Sequence, residues 1–299
     1  MTITNSIELK NYVKDKKTAV ALGSFDALHK GHLKVICGCI EYAQKNGLVS
    51  VVQLVEIPNS KRVNTIEKRL EILDDMGADI VVIEEFSQQF KEVKYRDFVE
   101  EYLAKRYNAA AVFSGDNYRF GYMAEGDTQK LMAECGKYGI EVFVSDCVRL
   151  EGTISSTEIR KFVENGDMEK ATLCMGRPFS LSGRVVHGKA LGRKLGFPTA
   201  NIEIPDGFVV PQCGVYAAVV VVGKDRFYSI ANVGAKPTVN DKKPNIEAYM
   251  FDFNDEIYGD EIQVEFCKKL RDIKKFENIA ELSRQIERDK LDAEKYFGV

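Results

Sequence analysis

Two different patterns of apolar residues follow one another along this chain. Up to about Arg177, short apolar runs suited to strands alternate with segments whose apolar residues recur at helical spacing. Because such alternation is typical of a parallel sheet covered by helices on both faces, the first half is predicted to be one. From Ser180 the runs become short, β-branched and aromatic, with Gly and Pro between them, which indicates a small antiparallel barrel. The predicted fold class is α/β, with a parallel-sheet domain at residues 1–178, a barrel domain at 179–299 and one closing helix.

The same periodicities predict the residue ranges of the individual strands and helices. The strands predicted for the sheet are residues 18–23, 49–55, 79–83, 109–113 and 140–145. The helices predicted beside them are one after the first strand, one from a cap at Asn64 (with Glu67 three residues on) to Met76, one near 94–107 and one near 127–138. The strands predicted for the barrel are residues 180–187, 215–222, 227–233, 246–253 and 262–266, followed by a helix at about 279–296.

Composition excludes several classes of protein. The chain has 299 residues, of which 45% are hydrophobic and 29% charged, so two folded domains are expected rather than disorder. Its 42 Lys+Arg and 45 Asp+Glu give a net charge of −3, which disfavours a nucleic-acid or polybasic membrane binder. We see no signal peptide, and the longest apolar run, residues 215–222, is too short to cross a bilayer. Seven scattered cysteines without a C-x-x-C pair favour reduced thiols in a cytoplasmic protein.

Two of the three histidines lie where the first strand gives way to the first long helix. The segment runs Gly-Ser-Phe-Asp-Ala-Leu-His-Lys-Gly-His over residues 23–32. Backbone N–H groups at a helix start favour phosphate binding, and His29 and His32 at i and i+3 share one side of the first turn. The alternative is that both histidines are ordinary turn and cap residues.

A second candidate phosphate site begins another helix. Ser155, Ser156 and Thr157 precede a helical run and are followed by Arg160. Their hydroxyl groups and the guanidinium suit a triphosphate, although an N-cap alone explains the hydroxyl residues equally well.

The barrel half begins with a glycine-rich loop. Residues 183–189 have the spacing of a Walker A motif, but Ala190 occupies its Ser/Thr position. Glycines at 188, 192 and 196 and a proline at 198 prevent the helix that a P-loop needs, so the P-loop interpretation fails. Just beyond, Thr199 and Asn201 offer the neutral oxygens that suit Mg²⁺.

One later strand has a face with both an acid and aromatic rings. Glu247 begins an alternating run that continues with Tyr249, Phe251 and Phe253, and such a face can hold a proton acceptor beside an aromatic wall. Without further information, a solvated strand glutamate would be the ordinary interpretation.

Taken together, these segments resemble one enzyme family, the bifunctional bacterial riboflavin kinases/FAD synthetases. The His-x-Gly-His segment and Ile-Ser-Ser-Thr-Glu-Ile-Arg at 154–160 resemble the family's nucleotidyltransferase motifs. Gly-Asp-Asn-Tyr-Arg-Phe-Gly at 115–121 resembles its flavin segment, and residues 183–201, ending in Phe-Pro-Thr-Ala-Asn, resemble its kinase phosphate loop. The likeness spans nearly the whole chain and implies a Rossmann-like nucleotidyltransferase domain before the kinase barrel.

The resemblance implies two successive reactions. Riboflavin is phosphorylated by ATP to FMN, and FMN is then adenylylated by ATP to FAD with release of pyrophosphate. It gives catalytic roles to Glu247 as the kinase base and to His29, His32 and Arg160, and Mg²⁺ ligation to Thr199 and Asn201. It places nucleotide binding at Gly23, Ser24, Phe25, Asp26, Gly31, His32, Ser155, Ser156, Thr157, Arg160, Gly188, Lys189, Gly196, Pro198, Thr199 and Asn201. It places flavin binding at Asp116, Asn117, Arg119, Phe120 and Tyr249.

The chemistry of the two halves agrees with this division. Phosphorylating an alcohol requires a proton acceptor, which Glu247 can supply. In adenylyl transfer the FMN phosphate is already anionic, so no base is needed and donors such as the two histidines, Lys30 and Arg160 suffice.

Two rival functions remain at this point. One is a monofunctional riboflavin kinase whose first domain does not act on FMN, which is favoured by residues 54–59 because they lack the histidine of the family's Pro-His-Pro segment. The other is a flavin-binding regulator without turnover, which would predict loss of Glu247 or of the Mg²⁺ pair. In either case we expect small-molecule partners only, no nucleic acid or membrane, and a monomer or weak homo-oligomer.

Overall fold

The structure, a computed structural model, describes residues 1–58, 61–148, 154–188, 196–235 and 244–299. Its contacts divide the chain into two compact units. The first comprises Met1–Ser60 and Thr65–Ser155, and the second comprises Lys61–Asn64 and Ser156–Val299. The domain boundary at 178/179 stays a prediction.

A six-stranded sheet forms the centre of the first unit. Its strands are β1 (Thr2–Thr4), β2 (Thr18–Gly23), β3 (Val49–Glu56), β4 (Ile80–Glu85), β5 (Ala109–Gly115) and β6 (Glu141–Ser145). They lie in the order β1-β4-β3-β2-β5-β6, and every neighbouring pair is parallel. The predicted parallel sheet is confirmed. From β2 the chain first builds one side of the sheet and then returns to build the other, so the carboxyl end of β2 is the switch point where such sheets bind ligands.

Helices cover both faces of this sheet. They are α1 (Lys10–Val13), α2 (Lys30–Asn46), α3 (Ile66–Asp75), α4 (Gln88–Lys91), α5 (Tyr95–Asp97) and α6 (Thr128–Gly136), with a π-helical segment (Phe98–Arg106) directly after α5. Since alternate residues of a strand face opposite sides, two apolar cores form. Ala21 of β2 packs in the core that holds Ile36 of α2, whereas Val20 packs in the one that holds Leu103.

The start of α3 differs from the prediction. Thr65, not Asn64, is the N-cap, and its side chain accepts a hydrogen bond from the backbone N–H of Lys68. Both residues are good N-caps, so the sequence alone does not decide which of the two begins the helix. The helix ends at Asp75, one residue before the predicted end.

A closed antiparallel barrel forms the centre of the second unit. Its strands are β7 (Phe179–Val186), β8 (Ala200–Glu203), β9 (Gly214–Val222), β10 (Asp225–Ala235), β11 (Pro244–Met250) and β12 (Glu261–Arg271). They close in the order β10-β11-β8-β7-β12-β9. The predicted barrel is confirmed, but β8 was not predicted, because its apolar and polar residues alternate over only four positions, too few to distinguish a strand from a loop.

The strand predicted at 246–253 is shorter in the structure. β11 ends at Met250, and Asp252 has a φ of 56°, which no extended strand adopts. Phe251 is instead buried in a cluster with Ile230 and with Ala293 of the last helix. Only Glu247 and Tyr249 of the predicted aromatic face therefore remain on the strand.

In the part of the chain that the structure describes, three helices accompany the barrel: α7 (Ser156–Glu164), α8 (Met168–Met175) and α9 (Ile279–Phe297). α9 confirms the predicted closing helix and is capped by Asn278, whose side chain accepts from the N–H of Glu281 at 2.9 Å. Among the described residues, no helix is both long and apolar enough to span a membrane.

The cysteines are all free thiols, and their environments differ. Burial raises the pKa of Cys39 and of Cys135 to about 12 and that of Cys267 to about 11. A raised pKa keeps these thiols protonated, and the protonated form is not the nucleophile. We therefore expect a disulfide reagent at pH 8 to modify the exposed Cys37 and Cys213 of the folded protein and to reach these three only after unfolding. Absorbance titration with and without guanidinium checks this, and equal rates for all seven thiols would contradict it.

Candidate functional site

The connection from β2 to α2 is a tightly folded loop at the carboxyl edge of the sheet. Phe25 and Leu28 have φ values of 47° and 43°, and both side chains are buried. The Phe25 ring turns back over Gly23, where an added Cβ would lie 2.8 Å from ring carbons. Gly23 is therefore required by this loop, which also brings Ser24 and the buried Asp26 to the edge.

The structure brings His29 and His32 together. His29 is the N-cap of α2, and its Nδ1 accepts a hydrogen bond from the backbone N–H of His32 at 3.2 Å. The two rings stack with centroids 3.6 Å apart, and the edge of Phe25 packs against His32 at 5.1 Å. Because its Nδ1 accepts, a neutral His29 carries its proton on Nε2, which makes that atom a donor. Thus His29 is indeed a cap residue, and capping orients its ring rather than excluding a role with phosphate.

The loop after β5 carries the predicted flavin residues. The Asp116 carboxylate accepts hydrogen bonds from the backbone N–H and the thiol of Cys147, at 3.1 and 2.6 Å. Asn117 and Arg119 are exposed, whereas Phe120 is buried with its ring 5.4 Å from that of Phe98. Phe120 thus anchors the loop in the core, and Asp116, Asn117 and Arg119 lie at the surface.

The predicted phosphate-binding segment at residues 155–157, which has three hydroxyl side chains, is divided between the two units. Ser155 ends the first unit, and α7 begins at Ser156 in the second. Thr157 is exposed in the first turn, and Arg160 donates from Nε to the carbonyl oxygen of Lys61 at 2.6 Å. The helix start predicted here is present.

Three polar residues lie side by side on neighbouring barrel strands. Glu247 of β11 is in register with Asn201 of β8 on one side and with Asn232 of β10 on the other. Asn245, two residues before Glu247 on the same strand, donates from Nδ2 to its Oε1 at 2.7 Å. Asn232 and Asn245 were not predicted as site residues, since only the pairing of the strands shows that they flank Glu247.

Asn201 packs directly against the loop that follows β7. A Cβ built on Gly188 would lie 2.1 Å from Nδ2 of Asn201, so a larger residue at this position requires the Asn201 side chain to move. Farther along, Gly196 and Pro198 are exposed, and Gly196 has a φ of 83°. Lys189, the remaining predicted residue of this loop, lies outside the described residues.

A cavity of about 630 Å³ opens beside these residues. Its lining includes Thr199, Glu247, Asn232 and the aromatic pair Phe197–Tyr249, whose ring centroids are 5.4 Å apart. A cavity with apolar and aromatic walls and a few polar groups has the character and size of a small-molecule site. The structure thus brings the predicted site residues Thr199, Glu247 and Tyr249 together around one cavity.

Part of the cavity wall is held by a partly buried ion pair. Arg271, the last residue of β12, donates from Nε and Nη2 to the two carboxylate oxygens of Asp289 on α9, at 2.8 and 2.7 Å. Gln285 donates to the same carboxylate at 2.9 Å. Asp289 is only 2% exposed, whereas the Arg271 side chain is 23% exposed, so the pair is partly buried. The pair therefore fixes α9 as a wall of the cavity.

Comparison with known proteins agrees with both halves of this description. A family model described as FAD synthetase matches residues 12–158, and one described as riboflavin kinase matches residues 175–297. The bifunctional riboflavin kinase/FMN adenylyltransferase of Bacillus subtilis (strain 168) is 33% identical over 298 residues, covering 94% of this chain and 93% of that protein. This chain belongs to that family.

Further relatives of this bifunctional family extend over the same length. The Escherichia coli (strain K12) enzyme of the same name is 32% identical over 310 residues, covering 100% of this chain and 99% of that protein. A crystal structure titled as a macrolide-efflux protein from Streptococcus pneumoniae matches with a TM-score of 0.87 and 29% identity, covering 97% of each chain. The family, its riboflavin kinase and FAD synthetase activities and the two-part fold predicted from the sequence are thereby confirmed.

Proposed function

We propose that the barrel unit phosphorylates riboflavin at a site built around Glu247 and that the sheet unit adenylylates FMN at a site built around His29 and His32. The observation that carries the first assignment is the position of Glu247 in the wall of the cavity, in register with Asn201 and Asn232. The stacked histidine pair at the switch point of the sheet carries the second.

Glu247 is suited to be the general base of the kinase. The 5′-hydroxyl of riboflavin must lose its proton as its oxygen attacks the γ-phosphorus of ATP, while the bond from that phosphorus to the leaving ADP oxygen breaks. The amide of Asn245 holds Glu247 Oε1 at 2.7 Å, which leaves Oε2 as the proton acceptor in this proposal. Tyr249 and Phe197 supply an aromatic wall for the flavin ring.

The residues near Asn201 fit a magnesium ion. Thr199 and Asn201 offer neutral oxygens, and the described residues contain no cluster of three or more His, Cys, Asp or Glu side chains that would make a closed protein site. Mg²⁺ favours such partial sites, because ATP phosphates and waters complete its shell. When bound, it would neutralise phosphate charge. At Gly188, which has no side chain, the loop backbone passes close to the Asn201 amide.

The first unit is suited to stabilising charge rather than moving protons. A phosphate oxygen of FMN attacks the α-phosphorus of ATP, and pyrophosphate leaves with the electrons of the broken bond. Donors at the start of α2, namely the His29 and His32 rings, Lys30 and the backbone N–H groups, are suited to the charge on the leaving pyrophosphate. Roles for Ser155, Ser156, Thr157 and Arg160 toward ATP, and for Asp116, Asn117, Arg119 and Phe120 toward FMN, remain predictions from the family motifs.

We further propose that the protein works in the cytoplasm as a monomer or weak homo-oligomer, with small molecules and no nucleic acid or membrane as partners. The net charge of −3, without a dominant basic composition, supports this.

A product assay tests the proposed function. Purified protein receives riboflavin, ATP and Mg²⁺ in one reaction and FMN, ATP and Mg²⁺ in another, and the products are separated by chromatography. We expect FMN from the first reaction, and FAD with pyrophosphate from the second. FMN without FAD would support the kinase alone and direct attention to residues 54–59, which differ from the family pattern.

Gly188→Ala tests the contact with Asn201. The new Cβ cannot coexist with the present position of the amide, so the side chain of Asn201 must move. Because a misplacement of about 1 Å can cost ~100-fold in rate, we expect the kinase kcat/KM for MgATP to fall by about tenfold to a hundredfold. FAD formation from supplied FMN should be unchanged. Gly136→Ala, where a Cβ would meet nothing within 4 Å, is the control. Unchanged kinase kinetics in Gly188→Ala would rule out this role for the contact.

A further inference from the structure

Of the charged residues that the structure describes, Arg69 on α3 is the most deeply buried. This residue is 1% exposed, whereas Lys68 beside it forms only a surface ion pair with Glu71. Since a buried guanidinium is costly unless its N–H groups are bonded, its partners show what the fold uses it for.

Arg69 connects the ends of two neighbouring strands. Its Nη1 donates to the carbonyl oxygen of Ser24 at 3.3 Å, and its Nη2 forms an ion pair with Oε1 of Glu56. Ser24 directly follows β2, and Glu56 is the last residue of β3. These strands are adjacent and parallel, with Gly23 in register with Leu54. One guanidinium therefore joins two loops at the carboxyl edge of the sheet.

The loop that Arg69 holds needs support from outside. Phe25 and Leu28, between Ser24 and His29, both have positive φ values, which residues other than glycine seldom adopt. Such conformations persist only where surrounding contacts enforce them. Arg69 fixes the Ser24 carbonyl at the start of this segment, and the His29 cap fixes its end.

We propose that Arg69 is a positioning residue for adenylyl transfer, holding the Ser24–His29 loop in the shape that presents His29 and His32 to the ATP phosphates. This inference rests on the proposed function of the first unit. The proposal also gives Glu56 a role, because this acid anchors the Arg69 guanidinium at the end of β3. Glu56 lies within residues 54–59, the segment that departs from the family pattern.

Three variants test this role. Arg69→Met removes the charge and both bonds at similar volume, and Arg69→Lys keeps the charge but cannot bridge two partners with a planar fork. Glu56→Gln weakens the anchor. Steady-state kinetics of FAD formation are measured over ATP concentration at saturating FMN, together with thermal unfolding. Riboflavin phosphorylation by the same preparation reports on the barrel unit.

We expect KM for ATP in FAD formation to rise by about 30-fold or more in Arg69→Met, because the loop is misplaced, and by about tenfold in Arg69→Lys and Glu56→Gln. Riboflavin phosphorylation should be unchanged in all three. Lys68→Met, which removes the neighbouring charge from the same helix, is the control and should change neither reaction more than twofold.

Two results would overturn the proposal. One is a folded Arg69→Met protein with the KM for ATP of the unmodified protein. The other is a loss confined to kcat and equal to the unfolded fraction, which is what a merely structural role predicts. If Arg69→Met does not fold, an unchanged KM in Arg69→Lys and Glu56→Gln would overturn it equally. Absence of FAD formation by the unmodified protein would instead contradict the proposed function itself.

Discussion

Replacing Glu247 with Gln should stop riboflavin phosphorylation while FAD formation from supplied FMN continues. Gln has nearly the same shape, so its neighbours Asn201, Asn232 and Asn245 can stay in place, but an amide oxygen does not accept a proton at neutral pH. General-base catalysis is typically worth 10²–10⁴-fold, so we expect the rate of FMN formation to fall by about that range. The measurement is chromatographic quantification of FMN and FAD from the two separate reactions.

The control for this variant is Glu203→Gln. Glu203 lies on β8 of the same barrel and is exposed, so the same change of charge there should leave both reactions as they are. FMN formation within twofold of the unmodified rate in Glu247→Gln would show that another group takes the proton.

Replacing His32 with Ala should have the opposite effect. The His32 ring is stacked on His29 at 3.6 Å and supported by the edge of Phe25, so its removal takes away one donor and the contact that orients the other. Loss of one donor aimed at developing charge typically costs 10²–10³-fold. We expect FAD formation from FMN to fall by about that range and riboflavin phosphorylation to be unchanged.

Lys34→Ala is the matched control on α2. Lys34 is exposed on the next turn of the same helix, and its loss should leave both reactions near the unmodified rates. If His32→Ala abolished riboflavin phosphorylation in a folded protein, the assignment of the two reactions to separate sites would be wrong.

Elements with a distinct apolar pattern could be predicted from the sequence. β2 lies at the predicted residues 18–23, because it is a continuous apolar run that is buried on both faces. α9, whose apolar residues recur at helical spacing, differs from its prediction by one residue. β8 and β1, with four and three residues, are too short to show a period. The positive φ of Asp252, which ends β11, is a local backbone conformation that the alternating aromatic residues conceal.

Candidate site residues could be predicted where they lie in one continuous segment of sequence. They could not be predicted where residues from separate elements come together only in the fold. Thr199, Asn201 and Glu247 were found from motifs that are continuous in sequence. Arg69 and Asp289 were not predicted, because each is paired with a residue on another element, Glu56 in one case and Arg271 in the other. An arginine in a helix and an aspartate in a helix resemble solvated charges until the packing shows them buried.

The claim that one chain carries two independent sites is tested most directly by mixing two variants, each of which is inactive in one of the two reactions. Glu247→Gln and His32→Ala proteins are incubated with riboflavin, ATP and Mg²⁺, separately and together, and FAD is quantified. We expect almost no FAD from either variant alone, FMN accumulation by His32→Ala, and FAD from the mixture as Glu247→Gln adenylylates that FMN. A mixture of the two folded variants that accumulates FMN but forms no FAD would contradict the account.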